Sequence, residues 1–358
     1  LGAVALSVFM IHTLQALMGV PVRTIQREYV EPYRHASGFA AKSAPIGEDL
    51  VSALQSSDAL SAVYPCLSLY TNIRLIPGGQ TGTQVMAFRA SDLPSIVQTF
   101  GLTLSKGRLP DPGENGVALH EAVARNKGLG VGDSLGSDVR KGEVLEGSYT
   151  VCGILSGQVL LSFTSLEYEL ARRNVADEYS LGVLAVPKDG RLDEMNEALE
   201  VLSGDGLILR TLDTAERQFE ADISGTLALV SILELAVIVI LCLCAGFLSY
   251  IQFYVRRGEF ATLFAIGYAR SGLLRQAFAQ IVALNLAGFA LGFALSALAS
   301  ILLNALLFFP LGLAMPVSGG EALIRAACAP LFTATACFVP SWRVILALDP
   351  VNVLEGRG

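Results

Sequence analysis

The sequence predicts an α-helical membrane protein with four transmembrane helices, one plus three, and a large extracytoplasmic α+β domain between the first and second. Three observations carry that expectation. The 358 residues are 53% hydrophobic and only 16% charged, and a mean hydropathy of +0.54 is too apolar for an ordinary soluble protein. Four stretches are long enough to cross hydrocarbon, which takes roughly 20 apolar residues because the backbone must satisfy its own polar groups there. The residues between the first two stretches, 21–224, are polar and punctuated by turns.

The first span, residues 1–20, reads "LGAVALSVFMIHTLQALMGV". It is longer than the apolar core of a secretory signal, and "ALMGVPV" offers no small-x-small cleavage site. The second runs from about Leu227 to Tyr254, the third from Ala277 to Phe309 and the fourth from Leu323 to Leu346. Together they make residues 225–346 a three-span block, followed by a short tail, 347–358. Orientation follows from basic residues, which concentrate in short cytoplasmic loops. The loop after the second span holds Arg256, Arg257, Arg270 and Arg275 against Glu259 alone, whereas "PLGLAMPVSGGE" between the third and fourth holds none. Both termini are therefore expected in the cytoplasm and the 21–224 domain outside, on a multi-pass protein of the bacterial cytoplasmic membrane.

Within that domain, "EGSYTVCGIL" and "SLGVLAV" cluster β-formers, and "SLGVLAVPKDGRLDEMNEALEVLSGDGLILRTL" reads as strand, helix, strand. "GLGVGDSLG" reads as a turn leading into a strand. "DTAERQFEADISGTL" is expected to run as one helix into the second span. The domain carries 27 Asp and Glu against 18 Lys and Arg, a net charge of −9, which argues against a phosphate-binding surface for nucleic acid. Under the proposed topology Cys66 and Cys152 meet an oxidising compartment, where one disulfide or two buried thiols both fit.

Catalytic and metal-binding patterns are missing. His12, His35 and His120 are scattered, no cysteine pair has zinc-site spacing, and no phosphate-binding G-x-x-x-x-G-K-[ST] occurs. No metal or cofactor, and no enzymatic activity, is expected of the chain itself.

Polar groups inside the spans are costly and therefore informative. Glu234 lies in the outer third of the second span, where an interhelical pair with Arg325 or a neutral form satisfies it; a part in substrate movement is the sharper reading. Gly288, Gly292, Ser296 and Ser300, spaced by four, leave one face of the third span nearly smooth. Packing within one chain, a dimer contact and a sliding surface all use such a face. In the basic loop, residues 256–272, Phe260, Leu263, Phe264 and Gly267 fall at i, i+3, i+4 and i+7 and form an apolar stripe. A membrane surface or a hydrophobic groove on a partner would both accommodate it.

"RRGEFATLFAIGYARSGLLRQAFAQ" resembles the segment of FtsX-like or MacB-like ABC transporter permeases in which an Arg, a Glu-Phe pair, a Leu and Ala-x-Gly precede the next span. "LALDPVNVLEGRG" and "GRLPDPGENGVALHEAVARNKGLGVGDSLG" resemble further segments of that family, and Gln280 departs from it where many relatives carry Glu. The resemblance implies that Arg256, Arg257, Glu259, Phe260, Leu263, Phe264 and Gly267 lie on or beside a coupling helix docked into a separate ATPase subunit, present in two copies, which binds the ATP and Mg. It also implies a second permease chain, identical or paralogous, and an extracytoplasmic adaptor or lipoprotein in some assemblies. The function implied is export or extrusion of a peptide, antibiotic, lipid or lipoprotein. An FtsX-like transducer acting on a cell-wall hydrolase and an ATPase-free receptor or immunity protein are the alternatives.

Overall fold

The computed structural model describes residues 1–42, 45–75, 79–204, 206–315 and 320–346; the side chains of 320–323, 325, 326, 329 and 344 lie outside it. The chain divides into a helical unit, Leu1–Val20, Gly225–Ala305 and Met315–Gly358, and a globular unit, Pro21–Ser224 and Leu306–Ala314.

The globular unit is α+β. After helix α1 (Gly2–Tyr29) and a 3-10 turn (Glu31–Arg34) come β1 (Ser37–Ala41), α2 (Glu48–Gln55), β2 (Leu60–Pro65), β3 (Leu67–Leu75), β4 (Gly79–Phe88), α3 (Leu93–Thr99), β5 (Thr103–Gly107) and β6 (Gly116–His120). They are followed by α4 (Glu121–Lys127), β7 (Ser134–Leu135), β8 (Tyr149–Ser156), β9 (Ser162–Ser165), α5 (Leu166–Arg173), β10 (Gly182–Pro187), α6 (Leu192–Val201) and β11 (Leu207–Arg210). The expected strand-helix-strand of residues 182–210 is β10, α6 and β11, and "GLGVGDSLG" ends in the two-residue β7.

Two sheets form. One has four strands ordered β11-β1-β10-β2, and the other follows β3-β4-β9-β6-β8-β5, with β7 on β8. Each owns a core. Phe39, Leu54, Val183, Met195 and Leu199 fill the first, while Phe88, Leu93, Ile96, Leu155, Leu161 and Phe163 fill the second. At roughly 25 cal/mol per Å² of buried apolar area these clusters supply the main folding drive.

Two buried carboxylates of the globular unit, Glu143 and Glu169, are met by cations and hydroxyls. Lys127 Nζ lies 2.5 Å from Glu143 Oε2, and Thr71 donates to the other oxygen at 2.7 Å. Glu169 accepts from Tyr149 and from Arg172 and Arg173. His120 caps α4: its Nδ1 accepts from Ala122 N at 3.1 Å, so Nε2 carries the proton and donates to Gly157 O at 3.2 Å. Burial, reinforced by the Arg27 charge, lowers this imidazole to about 4, which keeps it neutral in that role. Cys66 and Cys152 are free, buried thiols, raised by burial to about 12 and about 11. Of the two arrangements open to them, the structure has the unbridged one.

In the helical unit, α1 contributes its first part, followed by α7 (Leu212–Val255), α8 (Arg257–Ala265), α9 (Arg270–Leu303) and α10 (Gly320–Leu346). As expected, α7 is one continuous helix of 44 residues. Among the described residues three helical stretches, Gly2–Tyr29, Leu212–Val255 and Arg270–Leu311, are long and apolar enough to cross a membrane. The fourth expected span is helical as α10, with Pro330 and Pro340 inside it. Large apolar side chains point outward along α7, Leu243 being 69% and Phe247 63% exposed, a surface compatible with lipid and costly in water.

Two boundaries depart from expectation. The helix α1 does not stop at Val20 but continues through Pro21 to Tyr29. The third span does not stay regular to Phe309: it widens into a π-helical turn at Asn304–Phe308 and tightens into a 3-10 turn at Phe309–Leu311. Asn304 closes the excursion by accepting from Met315 N at 2.7 Å and donating to Met315 O at 2.9 Å.

Residues 306–314 pack on α4. Phe308 and Leu313 are buried, and Asn126 donates to Leu311 O at 2.8 Å. Gly312 sits at φ +67°, where a Cβ would stand 2.3 Å from Ala122 O. Gly312→Ala therefore combines a left-handed backbone with a backbone clash. It is expected to free this segment from α4 and cost about 2–4 kcal/mol in thermal unfolding.

Candidate functional site

The basic loop folds as a tight helical hairpin. Val255 ends α7, Arg256 caps α8, and the Arg256 guanidinium holds Glu259 through two nitrogens at 2.8 Å. Arg256 also lies over the Phe260 ring at 5.7 Å, Arg257 over Tyr254 at 4.3 Å and Arg270 over Phe264 at 5.0 Å. These cation-π contacts fix the arginines against the hairpin's aromatic residues.

The expected helix over 256–272 is broken. It ends at Ala265, because Gly267 takes φ +105°, with Gly267 N bonded to Phe264 O at 3.0 Å and Tyr268 N to Leu263 O at 3.2 Å. That is a Schellman C-cap. Gly267 is thus outside α8 and belongs to the turn, not to an apolar stripe on the helix.

Phe260 points inward. It is 9% exposed and joins Phe253, Ala261, Leu273, Ala277, Ile281, Cys337 and Ile345 in one cluster, with Leu263 and Phe264 packed against it. The stripe thus packs on the chain's own helices. Two residues that the pattern did not single out, Ile266 and Tyr268, are instead 72% and 55% exposed at the tip. Their signal was available: a Gly three residues beyond Phe264 predicts the cap, and residues beside a cap lie off the helix face.

A second polar group of residues lies where α1 meets α9. Gly288, Gly292, Ser296 and Ser300 are all buried. A Cβ on Gly288 would stand 2.9 Å from Val4 Cβ, and one on Gly292 2.4 Å from Ala5 O. The smooth face is therefore occupied within the chain, by α1. Ser296 Oγ bonds His12 Nδ1 at 2.7 Å and Thr13 Oγ1 at 3.0 Å, and the His12 ring meets Phe293 edge-on.

Glu234 is 8% exposed and its Oε1 has no hydrogen-bond partner among the described residues. It borders a recess of about 250 Å³ with Phe9, Met10, Thr13, Leu14, Leu17 and Val237. The expected counter-ion, Arg325, lies outside the described side chains, as does the tail 347–358. No group of three or more His, Cys, Asp or Glu among the described residues is placed to hold a metal.

The sequence matches no family model and no curated protein. Among solved structures, the periplasmic region of MacB from Actinobacillus actinomycetemcomitans is similar at 12% identity and a TM-score of 0.34, covering 52% of this chain and 94% of that one. The extracellular domain of the noncanonic ABC-type transporter YknZ from Gram-positive bacteria is similar at 10% identity and a TM-score of 0.32, covering 49% of this chain and 98% of that one.

Proposed function

We propose that the chain is the permease subunit of a MacB-like ABC transporter, coupling ATP hydrolysis by a separate subunit to movement of an extracytoplasmic domain. The observation that carries this reading is the α7-α8-α9 hairpin, whose exposed apolar pair Ile266 and Tyr268 belongs to the same segment as Arg256, Arg257, Arg270 and Arg275 on a chain without a phosphate loop. A tip of that kind suits an apolar pocket with an acidic rim on an ATPase. The arginines also suit the cytoplasmic side of a four-span protein.

In this reading the ATPase pushes on the tip. Because Phe260 locks α8 to α7, α9 and α10, the push moves those helices together, and α7 carries it without a break to Leu212. Two ATPase copies and a second permease chain complete the assembly. ATP and Mg stay on the partner. The length of the 21–224 domain favours a transporter of peptide, antibiotic, lipid or lipoprotein over an FtsX-like transducer.

The test is copurification of an ATP-binding subunit with the full chain. Ile266→Asp with Tyr268→Asp is expected to reduce recovery of that subunit at least tenfold while the permease remains inserted, an interface loss of about 1.4 kcal/mol or more. Unchanged recovery overturns the docking assignment. Stimulation of ATPase activity by a substrate then distinguishes transport from signalling.

A further inference from the structure

We propose that Glu28 is a proton-operated latch holding the last turn of α1 on the β3-β4 hairpin of the globular unit. Residues 21–29 of α1 lie beyond the predicted span and within the globular unit, and the Arg27 and Tyr29 side chains fasten them there. Arg27 donates to Gln158 O at 2.6 Å and to Gly157 O at 2.9 Å, while Tyr29 donates to Gly82 O at 3.4 Å. Between them Glu28 is fully buried, and neither carboxyl oxygen has a hydrogen-bond partner among the described residues. The Thr83 hydroxyl on β4 is likewise buried and unpartnered.

The other buried carboxylates of this unit show how unusual that is. Glu143 and Glu169 are each met by a cation and a hydroxyl. The titratable group that acts on Glu28 is Tyr29 on α1; Tyr29 and Tyr33, on the 3-10 turn, in turn feel Tyr70 on β3, and Tyr33 also feels Cys66 beside β3. Arg210 is felt by Tyr29 and Tyr33. The nearest donors to Glu28 are the Tyr29 hydroxyl and the Gln84 backbone N–H, and neither reaches bonding geometry.

A carboxylate so placed loses its hydration without replacement, so the site accepts the neutral acid and rejects the anion. Burial accordingly raises the group to about 8 from an ordinary 4.5. Closing the latch takes one proton from solvent onto a carboxyl oxygen, and opening returns it. The sign follows from linkage. A raised folded value leaves the closed state fully favoured below about 4.5, weakens it progressively as pH rises to about 8, and changes nothing further above that. Under the topology proposed above, Glu28 faces the compartment whose pH follows the medium; the measurement itself does not depend on that topology.

Hydrogen exchange read by mass spectrometry tests the latch on the full chain in lipid nanodiscs, using the peptide that covers residues 22–30. Base catalysis of exchange is common to the wild type and Glu28→Gln, so their ratio isolates opening. That ratio is expected to climb roughly tenfold per pH unit between about 4.5 and about 8 and then to flatten. A ratio independent of pH overturns the proposal. Should the variant fail to fold, the wild type alone decides: an infrared carbonyl band of a protonated, buried carboxyl near pH 6 that vanishes above about pH 9 supports the latch, and its absence near pH 6 refutes it.

Discussion

Phe260→Asp is expected to unfold the hairpin end of the helical unit, whereas Ile266→Asp, six residues away, leaves folding untouched. Phe260 fills a cluster with residues from α7, α9 and α10 and stacks on Phe253 at 5.6 Å. Removing the ring costs about 3–5 kcal/mol, and burying a carboxylate in its place adds a further penalty of several kcal/mol. Ile266 is 72% exposed, so its replacement falls within about 0.5 kcal/mol of neutral. Thermal unfolding of the two detergent-purified variants, read beside limited proteolysis in the 256–270 loop, separates them. A stable Phe260→Asp chain would show that α8 swings free of the bundle. The partner would then be gripped by the apolar stripe itself, the reading the pattern of residues 256–272 first suggests.

That contrast also marks how far sequence reasoning reaches. Apolar runs announced α1, α7, α9 and α10, because hydrocarbon demands length and composition that few soluble helices share. Alternating β-formers announced β8 and β10, and local order alone placed α6 between β10 and β11. What escaped was whatever depends on contacts distant in sequence. Nothing local says that β4 pairs in parallel with β9, or that β6 lies between β9 and β8. The small-residue stripe on α9 was legible as a close-approach surface, but its occupant, α1, was not.

One local signal was available and lost to a stronger one. Periodicity drew Gly267 into a helix that its left-handed backbone ends. The apolar run ended the expected first span at Val20, yet α1 runs on through Pro21 to Tyr29, where Arg27 and Tyr29 hydrogen-bond to Gln158 O and Gly82 O. Glu28 was invisible for the same reason. A charged residue just past an apolar run normally reads as a solvated end, and only tertiary structure reveals that no donor meets it.

Gly292→Leu is expected to disrupt the seam between α1 and α9, with a cost of about 3–5 kcal/mol. A Cβ there would stand 2.4 Å from Ala5 O and 2.9 Å from Val8 Cβ, so α1 must retreat by about 1 Å before even an alanine fits, and farther for leucine. Retreat carries a second loss. His12 and Thr13 on α1 both bond Ser296, one turn along α9 from Gly292, and separation leaves a buried imidazole and two hydroxyls without partners in an apolar surrounding. Each orphaned group costs about 1–3 kcal/mol. Leu298→Ala is the control, since Leu298 is 63% exposed and lies off this seam. Unfolding of both variants in mixed detergent micelles, with a cysteine pair across α1 and α9 as proximity reporter, gives the comparison. If Gly292→Leu unfolds at the wild-type midpoint and the pair still crosslinks, α1 does not pack in the groove of α9, and the assignment of that smooth face to packing within one chain fails.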